Sequence, residues 1–370
     1  MFQIKNYIKN IDLDKYSPAV FLYPSVIAIL FISIFPLLGS LYMAFTKFKF
    51  IKGGTEFKYI GFYNFKKLLF GSQQYHFLGS IKEMNGIVQI LFYLISMIII
   101  YFLIKTLLKK EISILGKLGW ILSSSITIFL IYIILATEFS GGRFGSLTTT
   151  IFYVMVGAML QFLIGLLLAA ICVQNLKGIN YFKALFFIPL MITPVGTGYL
   201  FRMLTNTTNG PFKPLWVYLG YRDYSWATDP WGARIAVIIA DSWIWIPFMF
   251  IILVSAMQSQ DKTIIEAAYS DGATNYQIFR FITLPNILPT CVVIVVIKII
   301  DGFKIIDLPS VLTSGGPGIA SESMTLHSFF TWRSLDLGGS AAISYLLFIV
   351  VVYFSLTLIS ITKKYSKHDY

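Results

Sequence analysis

Lys298 and Asp301 stand inside the apolar run 286–306, where an ionised group is costly unless it faces a cavity, a partner or water. With Gly302 and Ile305 they follow i, i+3, i+4, i+7 spacing, so one helix face carries all four. An ammonium and a carboxylate on that face could form charge-assisted hydrogen bonds to a polar solute, or could simply pair with each other; both readings stand on the residues alone. A second group lies in the segment 258–285, between two apolar runs. It has helix formers around Glu266, Ala267, Ala268 and Tyr269, a breaker at Gly272 and an amphipathic stretch from Asn275. That pattern predicts a helix, a glycine turn and another helix projecting from an apolar bundle. Enzyme chemistry is not in view: there is no Gly-x-x-x-x-Gly-Lys-Ser/Thr phosphate loop. The three histidines, His76, His327 and His368, lie far apart in sequence, so neither a catalytic set nor a metal site is expected. Cys172 and Cys291 fall in or beside apolar runs, which argues against a disulfide framework or a zinc site.

The elements that must position these residues follow from composition. Of 370 residues, 57% are hydrophobic and 12% charged, against roughly 45–50% and 25% in soluble proteins, which excludes a soluble globular enzyme. A bilayer core takes about 20 apolar residues per helical span. Apolar runs at 20–45, 86–108, 117–138, 147–173, 183–205, 232–257, 286–306 and 341–362 give eight. Backbone groups in lipid must satisfy one another, and the alternating pattern of a membrane barrel is absent, so each run predicts a helix. The expected fold class is therefore all-α, a polytopic membrane protein. The first run is too long for the core of a cleaved signal. Prolines at 24, 36, 189, 194, 247, 285 and 289 interrupt several runs, as in helices that line a cavity, although membrane helices also tolerate proline ordinarily.

The net charge of +12 comes from basic residues scattered singly or in pairs; it suits anionic headgroups of membrane lipid and not nucleic acid. These residues divide almost evenly between the two sides, so the positive-inside rule does not orient the chain. Lys109 and Lys110 in a tight turn, with Lys363, Lys364 and Lys367 at the end, favour both termini on the inner side. The chain divides into an N-terminal segment with the first span and its loop (1–85), a hairpin (86–138) and a core carrying the 258–285 segment (139–370).

Glu266-Ala267-Ala268, then Gly272, then Ile282, Leu284 and Pro285, resembles without a gap the EAA motif of permease subunits of bacterial binding-protein-dependent ABC importers. Tyr59-Ile60-Gly61-Phe62-Tyr63-Asn64-Phe65, Phe187-Ile188-Pro189 and Leu312-Thr313-Ser314-Gly315-Gly316-Pro317 are similar to stretches of sugar-importer permeases of the maltose and glycerol-phosphate type. The likeness covers 20–70 and 147 to the end, and leaves the hairpin 86–138 outside the usual six-helix pattern. It implies a type I ABC importer permease fold in the bacterial cytoplasmic (inner) membrane, importing a carbohydrate or carbohydrate-like solute. It also implies a second EAA-type permease, two ATP-binding subunits that hold ATP and Mg, and an extracytoplasmic solute-binding protein, with no cofactor on this chain.

The same resemblance makes Glu266, Ala267, Ala268, Asp271, Gly272, Ile282, Leu284 and Pro285 the residues that couple to the ATPase. Sugar contacts fall on Lys298, Asp301, Gly302 and Ile305, and in the preceding span on Asp241, Ile244, Trp245 and Phe248. Asp241, Lys298 and Asp301 bring charge where the maltose pattern is largely neutral, so the resemblance leaves the solute open to ionised or strongly polar compounds. The outer segments 206–231 and 307–340, with Gly210, Trp216, Trp226, Trp231, Gly318 and Trp332, are implied to meet the binding protein, although the aromatics also suit an interfacial belt. An ion- or proton-coupled secondary transporter would instead use Lys298 and Asp301 itself, but it commonly shows internal repeats, and no second copy of 183–306 is found.

Overall fold

Two prolines set the character of the long helices. Pro36 and Pro285 each lack an N–H for the preceding turn and push on the carbonyl four residues back. In the computed structural model, which describes residues 13–51, 54–108, 113–173, 178–221 and 224–366, that carbonyl lies in a π-helical turn in both cases: Leu30–Ile34 and Phe279–Thr283. The widened turns absorb the clash and let each helix continue. Helix α1 (Leu13–Ile29) therefore runs through its π turn into α2 (Phe35–Ala44), and α13 (Asn275–Ile278) runs into α14 (Leu284–Gly302).

The chain is a helical membrane protein. Among the described residues, seven helical stretches are long and apolar enough to cross a bilayer: Phe21–Ala44, Gly86–Leu107, Gly116–Thr137, Ser146–Cys172, Pro230–Gln258, Asn275–Gly302 and Leu337–Ile359. The eighth expected span, 183–205, is broken. Helix α8 (Ile179–Phe186), carried on by a 3-10 turn to Met191, meets Pro194–Leu204 at 100°, because Pro189 sits in that tight turn and Pro194 starts a new helix capped by Thr193. Outside the spans, β1 (Thr46–Ile51) pairs antiparallel with β2 (Gly54–Tyr59), followed by short helices α3 (Tyr63–Leu69) and α4 (Gln74–Phe77). The two-residue strand β3 (Gly79–Ser80) then pairs with β4 (Arg143–Phe144) and pins this loop to the start of the core.

The hairpin α5 (Gly86–Leu107) and α6 (Ile114–Thr137) rests on the core through one helix. Leu130 and Ile133 of α6 share a buried cluster with Phe303, Ala342 and Ile343, and Thr127 shares a hydroxyl hydrogen bond with Tyr353 of α17 (Leu337–Ser366). Lys109, Lys110, Lys367 and His368 lie outside the described residues.

In the core, α7 (Ser146–Cys172) and α11 (Pro230–Gln258) run parallel and pack along their whole length. Arg234 meets Phe144 at their starts, Gln161 meets Asp241 midway, and Ala169 and Cys172 join Leu253 and Met257 at their ends. Gly165 permits this closeness: a Cβ there would lie 3.0 Å from Met249 Cβ and 3.4 Å from the Phe250 nitrogen. Helix α14 closes the trio, with Gly302 placed 3.2 Å from Val154 of α7 when a Cβ is built on it. Between α9 (Pro194–Leu204) and α11 lies the short helix α10 (Lys213–Tyr218), and α15 (Asp307–Thr313) and α16 (Met324–Arg333) fold over the same end as the starts of α7 and α11.

Candidate functional site

Two charged residues of the spans, Lys298 and Asp241, meet where α7, α11 and α14 face each other. Lys298, with its side chain 1% exposed, donates from Nζ to Asp241 Oδ2 at 2.7 Å. Gln161 of α7 donates to the same oxygen at 2.6 Å and lies 3.3 Å from Ser242 Oγ. The ammonium also sits 4.4 Å from the centroid of the Trp245 ring, a desolvated cation–π contact. Trp245 and Phe248 make an edge-to-face pair at 5.0 Å. Lys298 thus pairs across the helix interface, and not with Asp301 along its own helix.

Asp301 stays exposed, beside Trp245. Ile244, Trp245 and Phe248 are half-buried on α11. Gly302 is buried at the crossing with α7, and Ile305 packs against a core cluster of Tyr153, Val237, Ala240 and Leu308. The face shared by Lys298, Asp301, Gly302 and Ile305 is therefore split: Gly302 and Ile305 serve helix packing, Lys298 belongs to the polar cluster, and Asp301 stays exposed beside Trp245. Gln161 was not singled out by sequence reasoning, because a lone Gln in an apolar run carries no motif. Its Oε1 is buried with no hydrogen-bond partner among the described residues, an acceptor that a water or a solute hydroxyl would satisfy.

The segment after α11 forms the expected helix–turn–helix. Helix α12 (Lys262–Ser270) starts at Asp261, whose side chain accepts from the Thr263 N–H. That bond and a second from the Thr263 hydroxyl hold the Asp261 carboxyl below its ordinary range. Glu266 and Ala267 are exposed and Ala268 half-buried. Asp271 ends the helix, and Gly272 takes φ +81° with nothing within 4 Å of a built Cβ, so conformation and not space demands glycine there. Thr274 and Gln277 form a reciprocal capping box at the start of α13. A cavity of ≈ 320 Å³ opens beneath the turn, lined by Asp271, Gly272, Gln277, Ile278, Phe281 and Ile282. Leu284 and Pro285 continue from there into α14. The segment follows Gln258, at the opposite end of the bundle from the starts of α7 and α11.

At the end where α7 and α11 start, Trp216, Trp226 and Trp231 are tied into the fold. Trp216 donates to the Leu204 carbonyl at 3.0 Å and packs on Trp226 at 5.4 Å, and Trp231 packs against Arg234 at 5.0 Å. Arg234 donates from Nε to the Ala320 carbonyl and approaches Glu138 at 3.9 Å. Burial raises the Glu138 carboxyl, with Arg234 opposing that shift.

His76 and His327, distant in sequence, are neighbours in space: their rings stack at 3.8 Å. His76 Nε2 lies 3.1 Å from Glu322 Oε1, and His327 Nδ1 lies 2.9 Å from Ser146 Oγ. Burial, reinforced by the neighbouring His76, pushes the His327 imidazole down to about 3.

Residues 121–362 match the family model of binding-protein-dependent transport system inner membrane components. The trehalose/maltose transport system permease protein MalF of Thermococcus litoralis is 32% identical over 212 residues, 57% of this chain and 72% of that protein. The maltodextrin transport system permease protein MdxF of Bacillus subtilis is 23% identical over 361 residues, 93% of this chain and 68% of that protein. Among solved structures, a bacterial ABC transporter involved in the import of the acidic polysaccharide alginate has a chain that superposes with a TM-score of 0.65 at 18% identity, covering 95% of this chain and 97% of that one. The match begins inside α6, so it takes in residues 121–138 of the hairpin segment 86–138. With its helical core and a family model spanning more than half its length, this chain belongs to the binding-protein-dependent transport system inner membrane components, the permeases of ABC importers.

Proposed function

We propose that this chain is one of two permease subunits of an ATP-driven importer, and that it moves a carbohydrate or carbohydrate-like solute inward by alternating access. The observation that carries the reading is α12 with its glycine turn: a short capped helix standing clear of the bundle, with Glu266 and Ala267 exposed beside a cavity of ≈ 320 Å³. Such a helix is a handle for a separate ATPase, which would hold the ATP and Mg. Glu266 offers a carboxylate to a basic partner group, the two alanines allow close approach, and Asp271, Gly272, Ile282, Leu284 and Pro285 transmit movement of the turn into α14. The transport equilibrium then shifts only by the difference in interaction energy between the inward and outward states.

On this reading the termini and the 258–285 segment face the cytoplasm, and the starts of α7 and α11 face an extracytoplasmic binding protein. A second EAA-type permease and two ATP-binding subunits complete the assembly. The names of MalF and MdxF support a sugar as solute. Trp245 and Phe248 suit the apolar face of a sugar ring, Asp301 can accept from its hydroxyls, and Gln161 Oε1 is one more acceptor near the same place. Because Asp241 neutralises Lys298, the cluster offers acceptors more than cations, and neutral or amino-bearing sugars suit it better than uronates.

Reconstitution tests both parts. The purified assembly in liposomes, given its binding protein, is expected to hydrolyse ATP faster when solute is present and to lose that stimulation in Glu266→Lys. Uptake that continues without ATP and stops when an ion gradient is collapsed would overturn the reading.

A further inference from the structure

We propose that His76, Glu322 and His327 form a binding site for one divalent transition ion of the zinc class, which staples the first extramembrane loop to the 314–327 segment. The three side chains each offer a ligand atom, all within 4.8 Å of one another. They come from separate parts of the chain: His76 from the four-residue helix α4, Glu322 from the loop after α15, and His327 from α16. Two imidazoles and a carboxylate suit Zn²⁺, Ni²⁺ or Cu²⁺, whereas Mg²⁺ and Ca²⁺ prefer all-oxygen sets.

Burial makes the set more than a surface coincidence. The Glu322 side chain is 4% exposed and His327 is 1% exposed. A carboxylate so placed needs a counter-charge, and His76 is its one hydrogen-bond partner among the described residues. Ser146 occupies Nδ1 of His327 at 2.9 Å. That leaves Nε2, which makes no hydrogen bond among the described residues, as the coordinating nitrogen. A partner on the second ring nitrogen is the usual support of a metal-bound histidine, fixing its tautomer and orientation. Phe77 and the β3–β4 pair hold the loop in place around it.

The two rings lie 13° from parallel, and in-plane lone pairs of parallel rings do not converge. Binding therefore turns the His76 ring, whose side chain is 35% exposed, about its Cβ–Cγ bond while the buried pair stays in place. The open side toward His76 leaves a fourth position for water. The inference rests on these side chains alone and is independent of the transported solute.

The test uses the full chain in detergent, stripped with a chelator and titrated with Zn²⁺ against a chromophoric chelator and with Co²⁺ by visible absorption. One equivalent is expected to bind, with affinity lost in His76→Gln, Glu322→Gln and His327→Gln, lowered about 10- to 100-fold in Ser146→Ala, and unchanged in His368→Gln. In the unmutated chain, Zn²⁺ is expected to protect His76 but not His368 from diethylpyrocarbonate, a reading that no variant's folding can disturb. No stoichiometric binding at micromolar Zn²⁺, binding that survives loss of both His76 and His327, or equal modification of His76 with and without Zn²⁺ would each overturn the proposal.

Discussion

Lys298 of α14 and Asp241 of α11 are joined by a 2.7 Å bond between residues 57 positions apart. The bond fastens the helix that leaves the 258–285 segment to the helix that enters it. Any motion of the turn at Gly272 that separates α11 from α14 must break or carry this pair.

The pair is buried, so removing one partner strands the other charge. Lys298→Met alone is expected to destabilise the folded chain by about 3–5 kcal/mol, and Lys298→Met with Asp241→Asn to recover most of that loss. Thermal unfolding in detergent, read by tryptophan fluorescence, checks both. Equal destabilisation in the single and double variants would mean that the ammonium matters for packing and not for pairing.

At Gly272 the left-handed backbone disfavours any Cβ by roughly 1–2 kcal/mol. Gly272→Val is expected to lower the unfolding midpoint modestly, by that conformational cost and without any clash, since nothing lies within 4 Å, and to reduce solute-stimulated ATP hydrolysis at least several-fold. Retention of full stimulation would remove the turn from the coupling path.

Gly165→Val places atoms where Met249 Cβ already lies 3.0 Å away. The expected cost is about 1–3 kcal/mol of overpacking. Cross-linking between cysteines placed on α7 and α11 should show the two helices further apart, and an unchanged cross-linking pattern would show that the crossing tolerates side chains.

Tyr224 donates its phenol to Asp229 at 3.0 Å, and that carboxylate also caps α11 through the Gly232 N–H at 2.6 Å. Burial, then the Asp229 bond and charge, raise the phenol to about 12. A raised folded value means that the contribution is complete below the unfolded value of about 10 and is lost as pH rises through about 12. Stability of the native chain should therefore fall over that interval more steeply than in Tyr224→Phe, as a pH series of unfolding midpoints would record; identical slopes would place the phenol in solvent.

Much of this architecture was legible before any coordinates. The expected runs 86–108, 117–138, 147–173 and 232–257 lie within a few residues of the observed helices, because length and apolarity alone decide what can cross a bilayer. The turn at Gly272 was legible too, since glycine after a run of helix formers leaves few other conformations. The break in 183–205 was only half legible: Pro189 and Pro194 announce an interruption, but its 100° angle depends on what the two halves pack against. Gln161 was missed because its meaning lies in a neighbour 80 residues away.

Composition and local pattern, then, determined that this chain is a helical membrane protein, where its spans fall and which loop stands out as a handle, because these depend on transfer to lipid and on conformational preferences within a few residues. Tertiary structure alone decided that Lys298 answers Asp241 and not Asp301, that Gly302 and Ile305 turn to packing, and that His76 reaches His327 and Glu322. Those are contacts across helix and loop interfaces, and a partner's identity there is set by how rigid elements dock, which spacing along one strand of chain does not encode.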